Sequence, residues 1–127
     1  MKIKLTSVMV DDQDKALEFY TKVLGFIKKT EIPAGADKWL TVVSPEGADD
    51  IEMLLEPTGH PAARTFQEAM FKAGIPLTAF AVEDIQREHA RLKSLGVAFS
   101  MEPTNMGMAT VAIFDDTCGN YIQIYQV

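Results

Sequence analysis

Two segments of the chain carry nearly the same pattern, and this internal repeat constrains the fold more than any other feature. Residues 10–26 read VDDQDKALEFYTKVLGF, and residues 82–97 read VEDIQREHARLKSLGV. Matching positions lie 72 or 71 residues apart in three separate segments, namely Val10 and Val82, Leu24 and Leu95, and Ile51 and Ile122. A nearly constant offset over three segments predicts that one structural unit occurs twice.

Each copy is predicted to follow the order βαβββ. In the first copy, a stretch rich in β-branched residues precedes an acidic helix cap (Asp12 or Asp14), and Gly25 ends the helix. Turn-forming residues separate the apolar runs that follow. The predicted elements are a strand at 2–10, a helix with the apolar stripe Ala16, Phe19, Tyr20, Val23 and Leu24, and strands at 26–32, 38–43 and 51–56.

A connecting helix at 62–73, ended by Gly74, is predicted between the two copies. In the second copy, Asp84 is well placed to cap a helix that Gly96 ends. The predicted elements of this copy are a strand at 76–82, a helix carrying Ile85, His89, Leu92 and Leu95, and strands at 97–101, 108–114 and 120–126.

The length and composition fit a single domain. The 127 residues are 47% hydrophobic and 24% charged, which supplies enough apolar material for a core. Each four-stranded unit covers one face of its sheet with helices and needs the second unit to complete the other face. We therefore predict one domain over 1–127, with a first module at about 1–58, the connecting helix at about 62–73 and a second module at about 75–127.

Charge and cysteine content limit the partners and the compartment. The net charge of −6 disfavours nucleic acid, because phosphates require a basic surface. No apolar run approaches the roughly 18 residues of a membrane span. Cys118 is the only cysteine, so the chain forms no internal disulfide, and the thiol is predicted to pack in a turn. We therefore predict a cytoplasmic protein that binds neither nucleic acid nor membrane.

Three stretches carry a resemblance to a known family. They are VDDQDKALEFYTKVLGF, the mid-chain IEMLL and the closing DDTCGNYIQIYQ. Together they resemble the vicinal oxygen chelate superfamily, which includes glyoxalase I, bleomycin-resistance proteins and extradiol dioxygenases. The resemblance implies an α+β fold in which two tandem βαβββ modules form a curled mixed sheet around a cleft. In many members this cleft holds a divalent metal.

Strand alternation sorts the side chains into two faces without reference to the family. One parity is uniformly apolar and is predicted to be covered by helices: Val8, Val10, Ile51, Met53, Leu55, Phe80, Val82, Ile122 and Ile124. The other parity is predicted to line the cleft: Leu5, Ser7, Met9, Glu52, Leu54, Leu77, Ala79, Ala81, Gln123 and Tyr125.

The resemblance also implies where a metal would be bound. The family's ligand positions on the first, fourth, fifth and eighth strands fall on Leu5, Glu52, Leu77 and Gln123. Only Glu52 keeps a metal-binding side chain, because leucine cannot coordinate and an amide oxygen is a poor ligand for a transition metal. We therefore predict no metal and no cofactor.

Glu52 and Gln123 lie 71 residues apart and are predicted to occupy equivalent positions in the two repeats. Two interpretations stay open. The pair has a function in the cleft, or Gln123 simply hydrogen-bonds Glu52 or a water. Apolar neighbours such as Leu54 disfavour the charged form of a carboxylate and predict a raised pKa for Glu52.

Other side chains have two interpretations each. Trp39 is either a stacking platform or rim packing, and Met106 and Met108 either close over a flat apolar guest or fill gaps in the core. His60 either contacts the ligand or caps a local backbone group. His89 is predicted to pack its helix against the sheet.

Two functions follow, and a regulatory interaction module is a third without a feature of its own. The preferred one is a metal-free module that binds and sequesters a small, partly aromatic molecule, with cationic charge favoured by the acidic composition. The alternative is a lyase or isomerase in which Glu52 is the general base. A homodimer is predicted, because strand edges must be covered. The candidate binding residues are Leu5, Ser7, Met9, Trp39, Glu52, Leu54, Leu77, Ala79, Met106, Met108, Gln123 and Tyr125.

Overall fold

The structure, a computed structural model, describes all residues from Met1 to Val127. The chain divides into two compact units, Met1–Arg64 and Thr65–Val127. Eight strands form two mixed four-stranded sheets that are accompanied by three α-helices, which confirms the predicted α+β class and the tandem modules. None of the helices combines the length and the apolar character that crossing a membrane requires.

The first unit has the predicted order βαβββ. Its sheet has the strand order β1-β4-β3-β2, in which β1 is parallel to β4 and the other neighbours are antiparallel. Asp12 caps the first helix by accepting the Lys15 backbone N–H at 3.0 Å, and wider π-helical turns continue the helix over Phe19–Val23. The elements are β1 (Leu5–Val10), α1 (Gln13–Glu18), β2 (Ile27–Ala34), β3 (Asp37–Val43) and β4 (Glu52–Pro57).

The second unit repeats this order in a sheet arranged β5-β8-β7-β6, with β5 parallel to β8. Asp84 caps its helix as predicted, by accepting the Arg87 backbone N–H at 3.0 Å. The connecting helix α2 (Pro61–Lys72) begins in the first unit and continues into the second. The other elements are β5 (Thr78–Ala81), α3 (Ile85–Ser94), β6 (Phe99–Asn105), β7 (Thr110–Asp115) and β8 (Tyr121–Gln126).

The largest difference from the predicted bounds concerns β6. This strand begins at Phe99 and not at Val97, because the Val97 N–H bonds to the Leu92 carbonyl and completes the turn that ends α3. The strand also extends four residues beyond Met101, because it stays paired with β7 as far as Asn105 and Thr110. The register of this pairing shifts twice, between Phe99 and Met101 and between Met101 and Thr104.

Alternation separates a buried face from a more exposed face in each sheet. The prediction was wrong for Ile51, which is 44% exposed because it precedes β4. Leu54 belongs to the opposite parity and is nevertheless buried, at 8% exposure. The buried face contains Val8, Val10, Met53 and Leu55 in the first unit, and Ala112, Phe114, Ile122 and Ile124 in the second.

One loop differs between the units and changes how the repeats correspond. Eight residues connect β3 to β4, whereas five connect β7 to β8. Ser7 pairs with Leu54 in the first unit, and Ala79 pairs with Gln123 in the second. Gln123 therefore corresponds to Leu54. The predicted equivalence of Gln123 and Glu52 was wrong, because a constant offset ignores the three extra residues of this loop.

A buried polar turn joins β7 to β8. The Asp116 carboxylate accepts the backbone N–H groups of Cys118 and Asn120 at 2.7 and 3.0 Å, and the Asn120 side-chain amide at 2.7 Å. Gln67 of α2 donates to the Asn120 side-chain oxygen at 3.0 Å and to the Cys118 carbonyl at 3.2 Å. Asp116, Cys118 and Asn120 are fully buried. The turn therefore anchors α2 within the second unit, and Cys118 packs in a turn as predicted.

Gly119 is the tightest point of this turn. Its φ is +96°, and an added Cβ would lie 2.9 Å from Gln67 side-chain atoms. Because Gln67 is buried and bonded, it cannot easily move away. We expect Gly119→Ala to lower the free energy of unfolding by about 2–4 kcal/mol, through backbone strain and overpacking together.

Gly25→Ala is the matched control, since Gly25 has a similar φ of +89° and no atom within 4 Å of its added Cβ. Backbone strain alone should cost about 1 kcal/mol there. Denaturant unfolding of both variants measures the difference. Equal losses of stability in the two variants would show that the close approach to Gln67 adds nothing to the cost of Gly119→Ala.

Candidate functional site

One face of the first sheet brings together most of the predicted binding residues of this unit. Directly paired residues share a face, and the register pairs Leu5 with Glu52, Ser7 with Leu54 and Ile32 with Trp39. We call this the open face of the first sheet: Leu5, Ser7, Met9, Thr30, Ile32, Trp39, Thr41, Glu52 and Leu54. Leu5 and Trp39 are 43% and 42% exposed. The face therefore presents apolar surface around Glu52, and a second carboxylate, that of the exposed Glu56, lies further along it as the direct partner of Met9.

Glu52 is held in place by two hydroxyl groups from neighbouring strands. The hydroxyl of Thr41 donates to its Oε1 atom at 2.5 Å, and the hydroxyl of Thr30 donates to the same atom at 2.9 Å. Thr41 is fully buried, whereas Glu52 is half-buried. Within the first unit no hydrogen bond reaches the other oxygen, Oε2, so this atom is available as an acceptor.

These hydrogen bonds lower the pKa of Glu52. The Thr41 hydroxyl has the largest effect and the Thr30 hydroxyl the next, while burial opposes them and the positive charges of Lys29 and Lys4 add a smaller lowering. The predicted raised pKa was therefore wrong. Apolar neighbours do remove solvent from the carboxylate, but hydrogen bonds to its charged form outweigh that cost. At neutral pH Glu52 is an anion.

The two lysines near Glu52 differ in their own partners. Lys4 donates to the Asp50 carboxylate at 2.7 Å, and this ion pair lowers the pKa of Asp50. Lys29 lies where the register shifts between Lys28 and Thr30, and it forms no ion pair in the structure. The charge of Lys4 is thus largely balanced, and Lys29 is the free positive charge beside the open face.

The second sheet presents a different face. Gln123 pairs with Ala79 and Ile113, and Tyr125 pairs with Ala81. Gln123, Tyr125 and Leu77 are half-buried, and Ala79 is exposed. These side chains share the parity predicted from the sequence, and no carboxylate lies among them.

The position that matches Glu52 in the second unit is Tyr121. Its ring stacks on Phe71 of α2, with centroids 4.4 Å apart and planes within 3° of parallel. Where the first unit offers a charged acceptor, the second unit therefore has a closed aromatic stack. The duplicated units are not chemically equivalent.

The sequence matches the family model of the Glyoxalase/Bleomycin resistance protein/Dioxygenase superfamily over residues 2–124. The chain belongs to this superfamily. It is 58% identical to the uncharacterized protein YurT of Bacillus subtilis (strain 168) over 126 residues, which is 99% of each chain. The resemblance seen in the sequence is thus confirmed at the level of the family.

Two solved structures are similar to this chain in both sequence and fold. UcmS2 is 31% identical and superposes with a TM-score of 0.83, covering 98% of this chain and 97% of its own. TnmS3, described as an antibiotic binding protein from Streptomyces sp. CB03234, is also 31% identical. Its TM-score is 0.77, with 99% of this chain and 95% of its own covered.

Both histidines have local partners within their own units. His60 accepts the Ala62 backbone N–H on Nδ1 at 3.0 Å and so caps the start of α2, which confirms the interpretation as a local cap. His89 pairs through Nε2 with the Glu102 carboxylate, and its ring meets Phe99 edge-on at 4.5 Å. The predicted packing role of His89 is confirmed.

The predicted methionines lie at the tip of the β6–β7 hairpin. Met106 and Met108 are both exposed, Met108 to 93%, so they do not fill the core of the second unit. The hairpin turn is closed by hydrogen bonds from Met106 N–H to the Ala109 carbonyl and from Gly107 N–H to the Asn105 side chain, both at 2.8 Å. Their contact with a ligand stays a prediction.

A superfamily member that binds a metal needs several ligands close together. The chain has no group of three or more His, Cys, Asp or Glu side chains arranged to hold a metal ion. Thr30 and Thr41, which contact the one candidate carboxylate, were missed by sequence analysis. Their hydroxyls mark an anionic hydrogen-bond acceptor at Glu52.

Proposed function

We propose that the protein binds a small molecule and sequesters it without converting it. The observation that carries this proposal is the state of Glu52: an ionised carboxylate with one oxygen bonded to two threonine hydroxyls and the other free within its unit. Such a carboxylate is a strong, oriented hydrogen-bond acceptor for an N–H or O–H group of a ligand. The exposed apolar side chains of Leu5 and Trp39 on the same face would bury the ligand's apolar part.

The same observation disfavours the alternative, a lyase or isomerase that uses Glu52 as general base. Proton abstraction beside a carbonyl is favoured when the carboxyl pKa is raised toward the working pH. Thr30 and Thr41 act in the opposite direction and weaken Glu52 as a base.

The similarity to TnmS3 supports an antibiotic-like natural product as the ligand. The predicted binding residues of the second unit stay a proposal of their own. They are Ala79, Gln123 and Tyr125 from its sheet, Leu77 just before β5, and Met106 and Met108 from its hairpin tip. A cytoplasmic location and the arrangement of both modules as one domain remain parts of the same proposal.

The proposal is tested with a panel of natural-product antibiotics. Compounds that raise the midpoint of thermal unfolding would be incubated with the protein at equal concentration, released by denaturation and weighed by mass spectrometry. We expect a stoichiometric complex from which the compound returns with unchanged mass. Catalytic consumption of a compound, abolished in Glu52→Gln, would instead establish the lyase or isomerase.

We predict that the protein carries no transition metal when it is purified without chelator. Of the four ligand positions that the family resemblance implies, two are occupied by Leu5 and Leu77, whose side chains cannot coordinate a metal. Elemental analysis should find only traces of nickel, zinc, iron and manganese. One metal ion per chain, lost in Glu52→Ala, would contradict the prediction.

We also predict a homodimer. Each sheet ends in two edge strands, β1 and β2 in the first unit and β5 and β6 in the second, and unpaired edges are usually covered by association. Sedimentation equilibrium at micromolar concentration should give twice the chain mass of 14.0 kDa. A single species at the mass of one chain would rule the dimer out.

A further inference from the structure

We propose that Thr30 and Thr41 are positioning residues that orient the Glu52 carboxylate toward a protonated amine attached to a flat apolar group. The inference rests on the proposed binding function and adds the chemical class of the ligand. It also assigns a role to two threonines that lie in β2 and β3, whereas Glu52 lies in β4.

The geometry leaves one direction open for a ligand. Both hydroxyls donate to Oε1, so the carboxylate is held from the side of β2 and β3, and neither hydroxyl bonds to Oε2. Thr30 and Thr41 are themselves a directly paired couple across β2 and β3, and Thr41 is fully buried. A rigid pair of donors therefore determines which oxygen is free.

The charges around Glu52 favour a cation as the partner of that oxygen. Glu52 is ionised, and an N⁺–H donor to a carboxylate gives a stronger hydrogen bond than a neutral donor does. Lys4 is already paired with Asp50 at 2.7 Å. Lys29 is the one nearby charge that opposes a cationic ligand, so its removal should strengthen binding.

The apolar part of the ligand is inferred from the neighbours of Glu52. Leu5 is the direct partner of Glu52 in β1, and it is 43% exposed. Trp39 lies on the same face two residues before Thr41 and exposes part of its indole. An aromatic ring bearing a short ammonium arm would cover this apolar surface while the arm reaches Oε2.

Three compounds that share the naphthalene ring system and differ in charge serve as probes: 1-naphthylmethylamine, 1-naphthalenemethanol and 1-naphthoate. Isothermal titration calorimetry should give the highest affinity for the cation, a lower one for the neutral compound and the lowest for the anion. The step in affinity between the cation and the neutral compound should be about tenfold. Thr41→Val should reduce that step to less than about threefold, and Thr41→Ser should keep it. Lys29→Gln should increase the affinity for the amine. Thr30→Val repeats the test in case Thr41→Val does not fold.

A second readout separates this inference from the proposed function. The pKa of Glu52 in the ligand-free protein, followed by carboxyl-carbon NMR, should rise in Thr41→Val and stay low in Thr41→Ser. An unchanged pKa in both valine variants would overturn the positioning role whatever the protein binds. The ligand class would be overturned if the pKa of Glu52 rose in Thr41→Val but the wild-type protein bound the amine no more tightly than the alcohol. Chemical conversion of a ligand would overturn the proposed function and leave the positioning role standing.

Discussion

Asp116→Ala should lower the free energy of unfolding by at least about 3 kcal/mol. The Asp116 carboxylate is fully buried and accepts two backbone N–H groups and the Asn120 amide. A hydrogen bond to a charged group contributes about 1.5–3 kcal/mol, and each donor left unpaired in the interior adds a cost. Denaturant unfolding gives the value directly.

Asp115→Ala is the matched control for this prediction. Asp115 is the adjacent residue and only half-buried, and its carboxylate accepts one bond, from the Thr117 N–H at 2.7 Å. Its replacement should cost about 1 kcal/mol. If both variants lost the same small amount, the buried turn would not anchor the second unit.

Glu52→Gln should weaken the binding of a cationic aromatic ligand by about 1–3 kcal/mol, or about fivefold to more than a hundredfold, while the fold is retained. The change removes the negative charge and puts an amide NH2 group in the place of Oε2, because the amide oxygen can still accept the Thr30 and Thr41 hydroxyls. Because the pKa of Glu52 is lowered, the wild-type site stays charged throughout the neutral range. Binding to the wild-type protein should therefore be lost only as the pH falls below the ordinary carboxyl range.

Glu56→Gln tests whether the effect is specific to Glu52. Glu56 lies four residues further along the same stretch of sequence and in the same strand, it is exposed, and no hydrogen bond holds its side chain. Calorimetric titration of 1-naphthylmethylamine should give the same affinity for Glu56→Gln and wild type. Equal losses in both variants would mean that general negative charge, and not the oriented carboxylate, attracts the ligand.

The order of the elements could be predicted because its determinants are local. Helix caps such as Asp12 and Asp84, and the alternation of apolar residues in strands, depend on neighbours within a few positions. The correspondence between the repeats could not be predicted in full. It depends on the eight-residue loop before β4, whose extra length shifts the pairing of a strand without changing its alternation.

The candidate site was predicted in part for the same reason. Alternation was enough to place Glu52 on the face shared with Leu5, because both follow from the parity of their own strands. The sign of the pKa shift required Thr30 and Thr41, which reach Glu52 only after β2, β3 and β4 have paired. Two threonines of matching parity on adjacent predicted strands were the available indication.

The pKa of Glu52 in the wild-type protein tests the central claim most directly. Selective labelling of glutamate carboxyl carbons, assigned with Glu52→Gln, allows NMR titration of this one group in the ligand-free protein. Two hydroxyl donors on Oε1 predict a pKa below the ordinary 4.5 of a glutamate, as expected for an ionised group that binds a ligand. A pKa raised toward neutrality would contradict the account and identify Glu52 as a base suited to proton transfer.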